Sequence, residues 1–360
     1  MKVAWIVYGS LEQRTGGTIY DRIVVDGLRA AGDDVRVYSL LPPPGSTALA
    51  IPLGLAAGIR LGRALRRSRP DVVVGDELCF REIAAAFPFL RRTHTRRVLL
   101  VHHLTCWEEE QPRHARFFAE RAERIAIDGS DRLVTTSHTT RERIVAELSH
   151  AHRGGVPAID VVLPGADRLP LLPRVPHADV RLLFLGAIAP RKRALALVQA
   201  FARATTGASA EAKLVLLGST AHDPGYAREV AQAIDRLGLV DRVTMAGEVA
   251  EEGVARALSE SDALVMPSSL EGFGIAATEA IRAGVPVIAA RTSGLEEALG
   301  RCGDAVRFVA NDDELADALR TFTTHREMRD RMTAATALVR AETQKWSECV
   351  AAFRSALTRA

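Results

Sequence analysis

The stretch DALVMPSSLEGFGIAATEAIRAGVPVIAA, residues 262–290, carries the signals of a strand, a glycine-containing loop, a helix and a second strand. Apolar runs of the length typical of buried strands stand at 262–268 and 285–290. Because a helix connects them, the two strands are expected to be parallel. In an open sheet of this kind, ligands bind at the loops that follow the carboxyl ends of the strands.

The same alternation of strand and helix runs through both halves of the chain. In the front half, β-branched apolar runs, each followed by a turn signal, stand at 3–9, 34–40, 71–76, 97–103, 132–137 and 159–165. In the rear half, strands are predicted at 180–186, 212–219, 241–247, 262–268 and 285–290. Strands that alternate with helices indicate a parallel sheet with helices on both faces. The chain is therefore predicted to be an α/β protein with two doubly wound sheets.

A proline-rich segment without helical periodicity separates the two halves. Four prolines fall within 164–180, which indicates an interdomain linker. We predict an N-terminal domain over 1–168, a linker over 169–179 and a C-terminal domain over 180–340. The tail, 341–360, has the spacing of an amphipathic helix, whose apolar face would cover its own domain or cross back to the first.

The composition is typical of a globular protein. The chain has 360 residues, of which 48% are hydrophobic and 25% charged, so two domains can each bury a core, and a disordered or fibrous chain is excluded. The net charge is only +3 and the basic residues are nearly all arginine, so we predict no nucleic-acid partner. The four cysteines are scattered and no histidine cluster has metal spacing, which predicts neither a disulfide framework nor a zinc site.

Hydropathy gives no transmembrane signal. No run of about 20 uninterrupted apolar residues occurs, and the N-terminus lacks the small-residue site of a signal peptide. The protein is therefore expected to be cytoplasmic. Arginine-rich clusters at 60–69 and 91–97 leave two interpretations open, a solvated basic face or a surface that contacts a membrane or an anionic acceptor.

The loop between the first quoted strand and its helix offers groups for a phosphate and for sugar hydroxyls. Gly272 and Gly274 let the backbone approach a ligand closely, and the N–H groups of residues 274–276 would bind an anion at the helix start. Glu271 and Glu279 can accept hydrogen bonds from sugar hydroxyls, each worth about 1.5–3 kcal/mol. The plainer alternative is that Glu271 caps the helix and Glu279 lies on a solvated face.

The residues around this loop resemble those of the retaining GT-B glycosyltransferases, specifically the family 4 group of nucleotide-sugar transferases. The family pattern of Pro-Ser, Glu-Gly-Phe-Gly, Glu-Ala and Gly-x-Pro-Val-Ile-Ala stands here as PSSLEGFGIAATEAIRAGVPVIAA, residues 267–290. The resemblance covers essentially the whole chain. It implies a GT-B fold, in which two Rossmann-like domains face each other across a cleft, and a tail helix that returns to the N-terminal domain.

In the rear domain, the resemblance assigns the donor diphosphate to Lys192, with Arg191 beside it, in FLGAIAPRKRALALVQAF. The family commonly has Arg directly after the strand-ending glycine, where this chain has Ala187. Part of the usual diphosphate clamp is therefore absent, and Arg191 or Arg193 would have to replace it. A second departure is Ser293, which replaces the first glycine of the family's Gly-Gly-x-x-Glu loop.

In the front domain, TGGTIYDRIV resembles the family's glycine loop, and VLLVHHLTCW carries His102 at the end of a strand, where the family places a histidine near the transferred sugar. The implied catalytic residues are His102, Lys192 and Glu271. The implied donor-binding residues are Gly16, Gly17, Arg191, Lys192, Glu248, Val249, Glu271, Gly272, Phe273, Gly274, Ile275 and Glu279, with Glu248 and Val249 contacting the base through their backbone.

The resemblance implies transfer of a sugar from a UDP- or GDP-linked donor, with retention of anomeric configuration, to an acceptor that is a small molecule, a glycan or a lipid. No cofactor and no metal are expected, because no D-x-D motif stands at a strand end; GDE at 75–77 is interpreted as a strand-end cap. Two alternatives stay open. One is another GT-B enzyme, such as a sugar-nucleotide epimerase, and the other is a non-catalytic protein that binds nucleotide sugars, with Ala187 and Ser293 as signs of decay.

Overall fold

The computed structural model describes four stretches of the chain, residues 1–41, 47–149, 157–207 and 211–359. The chain divides into two units, one formed by Met1–Pro164 with Trp346–Ala360 and the other by Gly165–Lys345. Each unit contains one six-stranded sheet, and all pairings between the described strands are parallel. The predicted α/β class with two doubly wound sheets is confirmed. Within the four described stretches, no helix is long and apolar enough to cross a bilayer.

Within its described residues, the first unit has six strands and, before its last strand, five α-helices. The strands are β1 (Lys2–Tyr8), β2 (Asp34–Leu40), β3 (Val72–Asp76), β4 (Arg96–Val101), β5 (Arg132–Thr135) and β6 (Ala158–Val161). The helices are α1 (Gly16–Ala30), α2 (Thr47–Ser68), α3 (Phe80–Ala86), α4 (Arg113–Asp128) and α5 (His138–Ser149). The strand order is β2-β1-β3-β4-β5-β6. It changes direction between β1 and β3, which makes that crevice the switch point where ligands bind in open sheets.

The sequence of β1 explains its central place in the sheet. Its middle residues, from Val3 to Val7, are all buried, as expected for a parallel strand covered by helices on both faces. The helix that follows is capped by Thr15. The Thr15 hydroxyl accepts a hydrogen bond from the amide of Thr18, and the Thr18 hydroxyl accepts one from the amide of Thr15. This cap fixes the glycine loop at the carboxyl end of β1.

The second unit repeats the arrangement. Its strands are β7 (Val180–Leu185), β8 (Ala212–Leu217), β9 (Val243–Gly247), β10 (Ala263–Met266), β11 (Val287–Ala290) and β12 (Val306–Val309). Its helices are α6 (Ala194–Thr205), α7 (Pro224–Arg236), α8 (Glu251–Ser259), α9 (Ile275–Arg282), α10 (Ser293–Leu299), α11 (Asp312–Thr324) and α12 (Arg326–Val339). The strand order is β12-β11-β10-β7-β8-β9, so the switch point lies between β7 and β10.

Strand β12 is missing from the sequence-based prediction, which gave the second unit five strands. Its sequence, VRFV, is four residues long and places the exposed Arg307 in the middle. Among the described strands it pairs with β11 alone, with Val306 opposite Val287. A short edge strand with a charged residue lacks the continuous apolar run that marks the buried strands.

The tail forms helix α13 (Trp346–Thr358), which belongs to the first unit. Phe353 is fully buried, and its ring lies 5.4 Å from that of Trp5 and 6.2 Å from that of Tyr20. On its outer side, Arg354 donates to the buried carboxylate of Asp33 at 2.7 Å. The helix therefore completes the core beneath β1 and α1.

We expect Phe353→Leu to lower the free energy of unfolding by about 1 kcal/mol, because leucine keeps an apolar side chain at a site packed by aromatic rings but fills it incompletely. Urea unfolding followed by circular dichroism measures the change. The control is Leu338→Ala, at a side chain that is 78% exposed, where a change within about 0.5 kcal/mol is expected. Equal effects at the two positions would show that α13 is not part of this core.

Candidate functional site

Two loops meet at the switch point of the second sheet. Strands β7 and β10 are neighbours, so the loops that follow them lie at the same edge. The amide of Ser269 donates to the carbonyl oxygen of Arg191 at 2.9 Å and joins these loops. The result is that Lys192 and Glu271, which are 79 positions apart in the chain, come together.

Lys192 and Glu271 form a largely buried ion pair. The ammonium nitrogen of Lys192 donates to Oε1 of Glu271 at 2.5 Å, and the two side chains are 15% and 7% exposed. Burial lowers the pKa of Lys192 and outweighs the attraction of Glu271. Burial raises the pKa of Glu271, but Lys192 and Arg191 together lower it more, so its pKa lies below the ordinary value. The carboxylate is therefore ionised at neutral pH and holds the ammonium group in place.

The two arginines beside Lys192 have different surroundings. Arg193 adopts a left-handed backbone conformation, with φ at +56°, and its guanidinium donates to Asp312 at 2.7 Å. Arg191 is half-buried and donates to the carbonyl oxygen of Leu270 at 3.5 Å. Of the two candidates to replace the arginine that Ala187 lacks, Arg191 is the one directed to the Glu271 loop.

Gly274 starts helix α9 in a conformation that other residues avoid. Its φ is +99°, and a Cβ at this position would lie 2.6 Å from Cδ2 of Leu295. No side chain caps the helix, so its first amides, beginning with Ile275, present the partial positive charge of a helix N-terminus. Gly272 and Phe273 complete the loop and are half-buried. Beside the Lys192 ammonium, this helix start suits an anion.

Glu279 lies one helix turn further into α9 and is 3% exposed. Both of its oxygens accept from the guanidinium of Arg168, at 2.8 and 2.9 Å, and Arg168 also lies 3.1 Å from Glu251. Burial raises the pKa of Glu279, and Arg168 offsets this only in part. The sequence singled out Glu279 but not Arg168, which lies within the proline-rich stretch and belongs to no motif.

Glu248 and Val249 lie in the loop between β9 and α8, at the same sheet edge as the Lys192 loop. The amide of Gly218 donates to the carbonyl oxygen of Gly247 at 2.8 Å, which ties the end of β9 to the end of β8. A Cβ at Gly218 would stand 1.9 Å from the carbonyl oxygen of Gly186, so only glycine allows this approach. The backbone of three adjacent strand ends is thereby fixed.

Near the switch point of the first sheet, the glycine loop after β1 meets the segment that follows β4. Gly16 and Gly17 begin α1, and a Cβ at Gly17 would lie 3.3 Å from the ring of His102. The His102 ring also packs edge-on against Tyr20, with centroids 5.3 Å apart. Its Nε2 lies 3.3 Å from Oδ1 of Asp21, in the first turns of α1. His102 therefore stands between the glycine loop and a buried acid.

Three buried acids surround His102, and the sequence-based prediction missed their role. Asp21 accepts from the indole of Trp5 at 3.2 Å, Asp76 accepts from the amide of Leu78, and Glu77 accepts from the amide of His102 at 3.0 Å. Burial, together with Asp21, raises the pKa of Asp76 to about 7. Burial lowers the pKa of His102, but Asp21 and Asp76 raise it more.

The strand-end cap predicted for GDE, residues 75–77, is present, since the carboxylate of Asp76 accepts a hydrogen bond from the amide of Leu78. Asp76 has a second role, as one of the acids around His102. The sequence alone does not reveal this role, because Asp21 and His102 are 81 positions apart and meet only in the tertiary fold. Among the described residues, Asp21, Asp76 and His102 also form a group whose ligand atoms lie within 4.8 Å of one another. The hydrogen bonds from the indole, the imidazole and the amide already engage these acids.

Comparison with known proteins gives two family matches. Residues 16–153 match the glycosyl transferase 4-like domain, and residues 173–338 match glycosyl transferases group 1. The chain is 29% identical over 285 residues to the MMP α-(1→4)-mannosyltransferase of Mycolicibacterium hassiacum, which covers 75% of this chain and 67% of that protein. It is 31% identical over 221 residues to a D-inositol 3-phosphate glycosyltransferase of Rhodococcus opacus, covering 58% of this chain and 48% of that one.

The chain thus spans about two thirds of the first relative and about half of the second. Among solved structures, Anabaena HepE in complex with UDP and glucose aligns with a TM-score of 0.76 at 17% identity, over 99% of each chain. At that identity the likeness concerns the fold. The aligned 99% of this chain includes both doubly wound units.

Proposed function

Since this chain belongs to the glycosyl transferases of group 1 and has their GT-B fold, we propose that it transfers a sugar from a nucleotide-diphosphate donor to an acceptor with retention of anomeric configuration. The observation that carries the proposal is the ion pair of Lys192 and Glu271 beside the uncapped start of α9. A cation and a helix N-terminus at a sheet switch point suit the two phosphates of such a donor.

The chemistry follows from where charge develops. In glycosyl transfer the sugar becomes oxocarbenium-like, while negative charge grows on the departing diphosphate. Lys192, fixed by Glu271, and the amides at the start of α9 stabilise that charge, and a site organised before the reaction does so without reorganisation. Arg191 adds a second cation. His102 is proposed as the group of the first unit that acts on the transferred sugar, with Gly16 and Gly17 contacting the donor.

For the nucleotide, we propose that Glu279 accepts from the ribose and that the backbone of Glu248 and Val249 contacts the base. The proposed donor is UDP-linked or GDP-linked, and the structural neighbour HepE binds UDP. The names of the relatives include an inositol phosphate glycosyltransferase and a mannosyltransferase, which favours a polar acceptor that carries hydroxyl groups. Membrane contact by the arginine clusters at 60–69 and 91–97 stays a prediction.

The experiment that tests the function is incubation of the protein with UDP-glucose and GDP-mannose, with released nucleotide measured over time. Release that continues over many turnovers, together with a product whose anomeric configuration matches the donor by NMR, supports the proposal. Tight binding of the donor without any release would favour the alternative of a non-catalytic binding protein. Inverted configuration in the product would exclude the retaining mechanism.

A metal requirement is not expected. We predict that an excess of EDTA leaves the rate of nucleotide release unchanged, because the diphosphate charge is neutralised by Lys192 and the start of α9. The control is a second preparation with added Mg²⁺ or Mn²⁺, which should show the same rate. Loss of activity in EDTA and its recovery with either ion would contradict the metal-free diphosphate site.

Glu279→Gln is expected to weaken the binding of the nucleoside diphosphate about 10–100-fold, because a neutral amide replaces the charged acceptor for the ribose. Isothermal titration calorimetry measures the affinity. The matched control is Glu251→Gln, which removes the other acid beside Arg168 but keeps its two bonds to Glu279. Equal affinities in the wild type and Glu279→Gln would remove this residue from the nucleotide site.

A further inference from the structure

Arg168 is a largely buried arginine of the second unit that the proposed transfer chemistry does not use. Its side chain is 9% exposed, and the residue lies in the segment between β6 and β7. Its Nε and Nη2 donate to the two oxygens of Glu279, and its Nη1 lies 3.1 Å from Oε1 of Glu251. A buried group of charges is often no more stabilising than apolar side chains of similar volume, so stability alone does not explain this one.

The backbone on both sides of Arg168 is fixed within the second unit. Before it, the amide of Ala166 donates to the carbonyl oxygen of Gln344 at 2.9 Å. After it, the amide of Val175 donates to the carbonyl oxygen of Ser259, the last residue of α8, also at 2.9 Å. The guanidinium of Arg168 therefore extends from a segment that is already held in place, which lowers the cost of presenting it to a ligand site.

The guanidinium of Arg168 fixes the plane and the orientation of the Glu279 carboxylate. The two hydrogen bonds, at 2.8 and 2.9 Å, form the paired geometry that arginine makes with carboxylates. An ionised carboxylate has about four lone-pair positions, so this pair uses one on each oxygen and leaves one on each. The 2′- and 3′-hydroxyls of a ribose are two neighbouring donors. A carboxylate held in this way matches that pair of donors.

Arg168 also favours the charged form of Glu279, which is the stronger acceptor. Burial raises the pKa of Glu279, Arg168 lowers it, and Glu251 raises it again. Arg282, on the same helix, lines a small cavity with Glu279, but its Nη1 donates to the hydroxyl of Thr343 at 3.5 Å. The cation paired with Glu279 thus comes from the segment before β7 rather than from α9 itself.

We infer that Arg168 is a positioning residue for the ribose of the donor: it holds both oxygens of Glu279 towards the two ribose hydroxyls and makes the site selective for ribonucleotides over 2′-deoxyribonucleotides. This inference rests on the proposed function, in which Glu279 accepts from the ribose, and adds a residue and a selectivity to it. A 2′-deoxyribose leaves one of the two prepared oxygens without a donor. Losing one charged hydrogen bond of this kind lowers the affinity at least about tenfold.

The test measures how strongly the full-length protein prefers a ribonucleotide. Calorimetry gives its affinities for UDP, GDP, 2′-deoxy-UDP and 2′-deoxy-GDP. For the base that binds more tightly, the wild type is expected to bind the ribonucleotide at least about tenfold more tightly than the 2′-deoxy form. Equal binding of the two forms by the wild type, or no binding of any of the four, would overturn the inference.

Arg168→Gln is expected to reduce this preference to less than about threefold, because an amide cannot hold both carboxylate oxygens and leaves Glu279 without its charged partner. A purely structural role of Arg168 predicts a different result, in which both forms of the nucleotide bind more weakly and their ratio stays the same. Thermal melting checks that the variant is folded. An unchanged ratio in the folded variant would contradict the inference.

Arg168→Lys keeps the positive charge but loses the paired geometry, so we expect a preference between those of the wild type and Arg168→Gln. This variant decides the question if Arg168→Gln does not fold. A preference equal to that of the wild type would show that charge alone is sufficient and would refute the positioning role. The matched control is Arg174→Gln, at an arginine of the same segment that donates to the carbonyl oxygen of Leu258, and it should keep the wild-type ratio.

These binding measurements need no transfer, so they separate the inference from the proposed function. If the preference is present and depends on Arg168 but no donor is cleaved under any condition, the transferase function fails and the ribose site stands. If donors are cleaved and the preference does not depend on Arg168, the inference fails and the transferase function stands.

Discussion

Replacing Lys192 by alanine is expected to lower the rate of donor cleavage about 10²–10³-fold, the loss typical of removing one group that stabilises developing negative charge. The structure gives the reason, since the ammonium is held 2.5 Å from Glu271, which lies in the loop that leads into α9. Donor affinity should fall less than the rate, because the charge on the leaving diphosphate is greatest in the transition state. Nucleotide release under saturating donor measures the rate, and calorimetry measures the affinity.

The matched control is Lys213→Ala, at a lysine on strand β8. Its ammonium lies 3.0 Å from Asp179, its side chain is half-exposed, and its loss should leave the rate unchanged.

Removing Lys192 also takes away the cation that lowers the pKa of Glu271. A depressed carboxyl pKa stabilises the fold above the ordinary value of 4.5, and this contribution is lost as the pH falls through the folded value. The variant should therefore lose stability near neutral pH and differ little from wild type in acid. A rate within tenfold of wild type would remove Lys192 from the mechanism.

Replacing His102 by alanine is expected to reduce turnover about 10²-fold, at the lower end of what a positioned acid–base or electrostatic group contributes, with little change in donor affinity. The reason is its place between Gly17 and Asp21, where two acids raise its pKa and so favour the charged imidazole. We expect the charged form to be the active one. Equal losses in turnover and in affinity would assign His102 to binding rather than catalysis.

Asp21→Asn keeps the His102 imidazole but removes an acid that favours its charged form. Burial lowers the pKa of His102, and in this variant only Asp76 still raises it. The pKa of His102 therefore falls, and the alkaline limb of the pH–rate profile moves to lower pH. The raised pKa of His102 stabilises the fold below its ordinary value of 6.5, and this stability is lost as the pH rises through the folded value, so the variant should be less stable mainly in acid. His103→Gln is the control, because that imidazole contacts Glu108 instead, at 2.9 Å. A profile unchanged by Asp21→Asn would contradict the positioning role of Asp21.

Much of the architecture could be predicted from the sequence because it depends on local signals. Each long buried strand is a run of β-branched and apolar residues, and the loop around Gly274 is marked by glycines that a left-handed backbone requires. Strand β12 had no such run and was missed.

The candidate site was only partly predictable, because several of its contacts join distant residues. Arg168 meets Glu279 from 111 positions away, and Asp21 meets His102 from 81. Asp21 lies within a helical pattern, where an acid usually faces solvent. Only the pairing of β1 with β3 and of β3 with β4 brings these groups to one edge. The fold had to be known before their burial and shifted pKa values could be deduced.

Helix α13 makes the first unit discontinuous in the chain, with Gly165–Lys345 inserted between its two parts. During synthesis, β1 and α1 leave the ribosome long before the aromatic face that covers them. The nascent first unit therefore exposes Trp5 and Tyr20 while the entire inserted unit is translated and folds. We expect chaperone binding to last until Phe353 emerges, and the inserted unit to acquire protease resistance first.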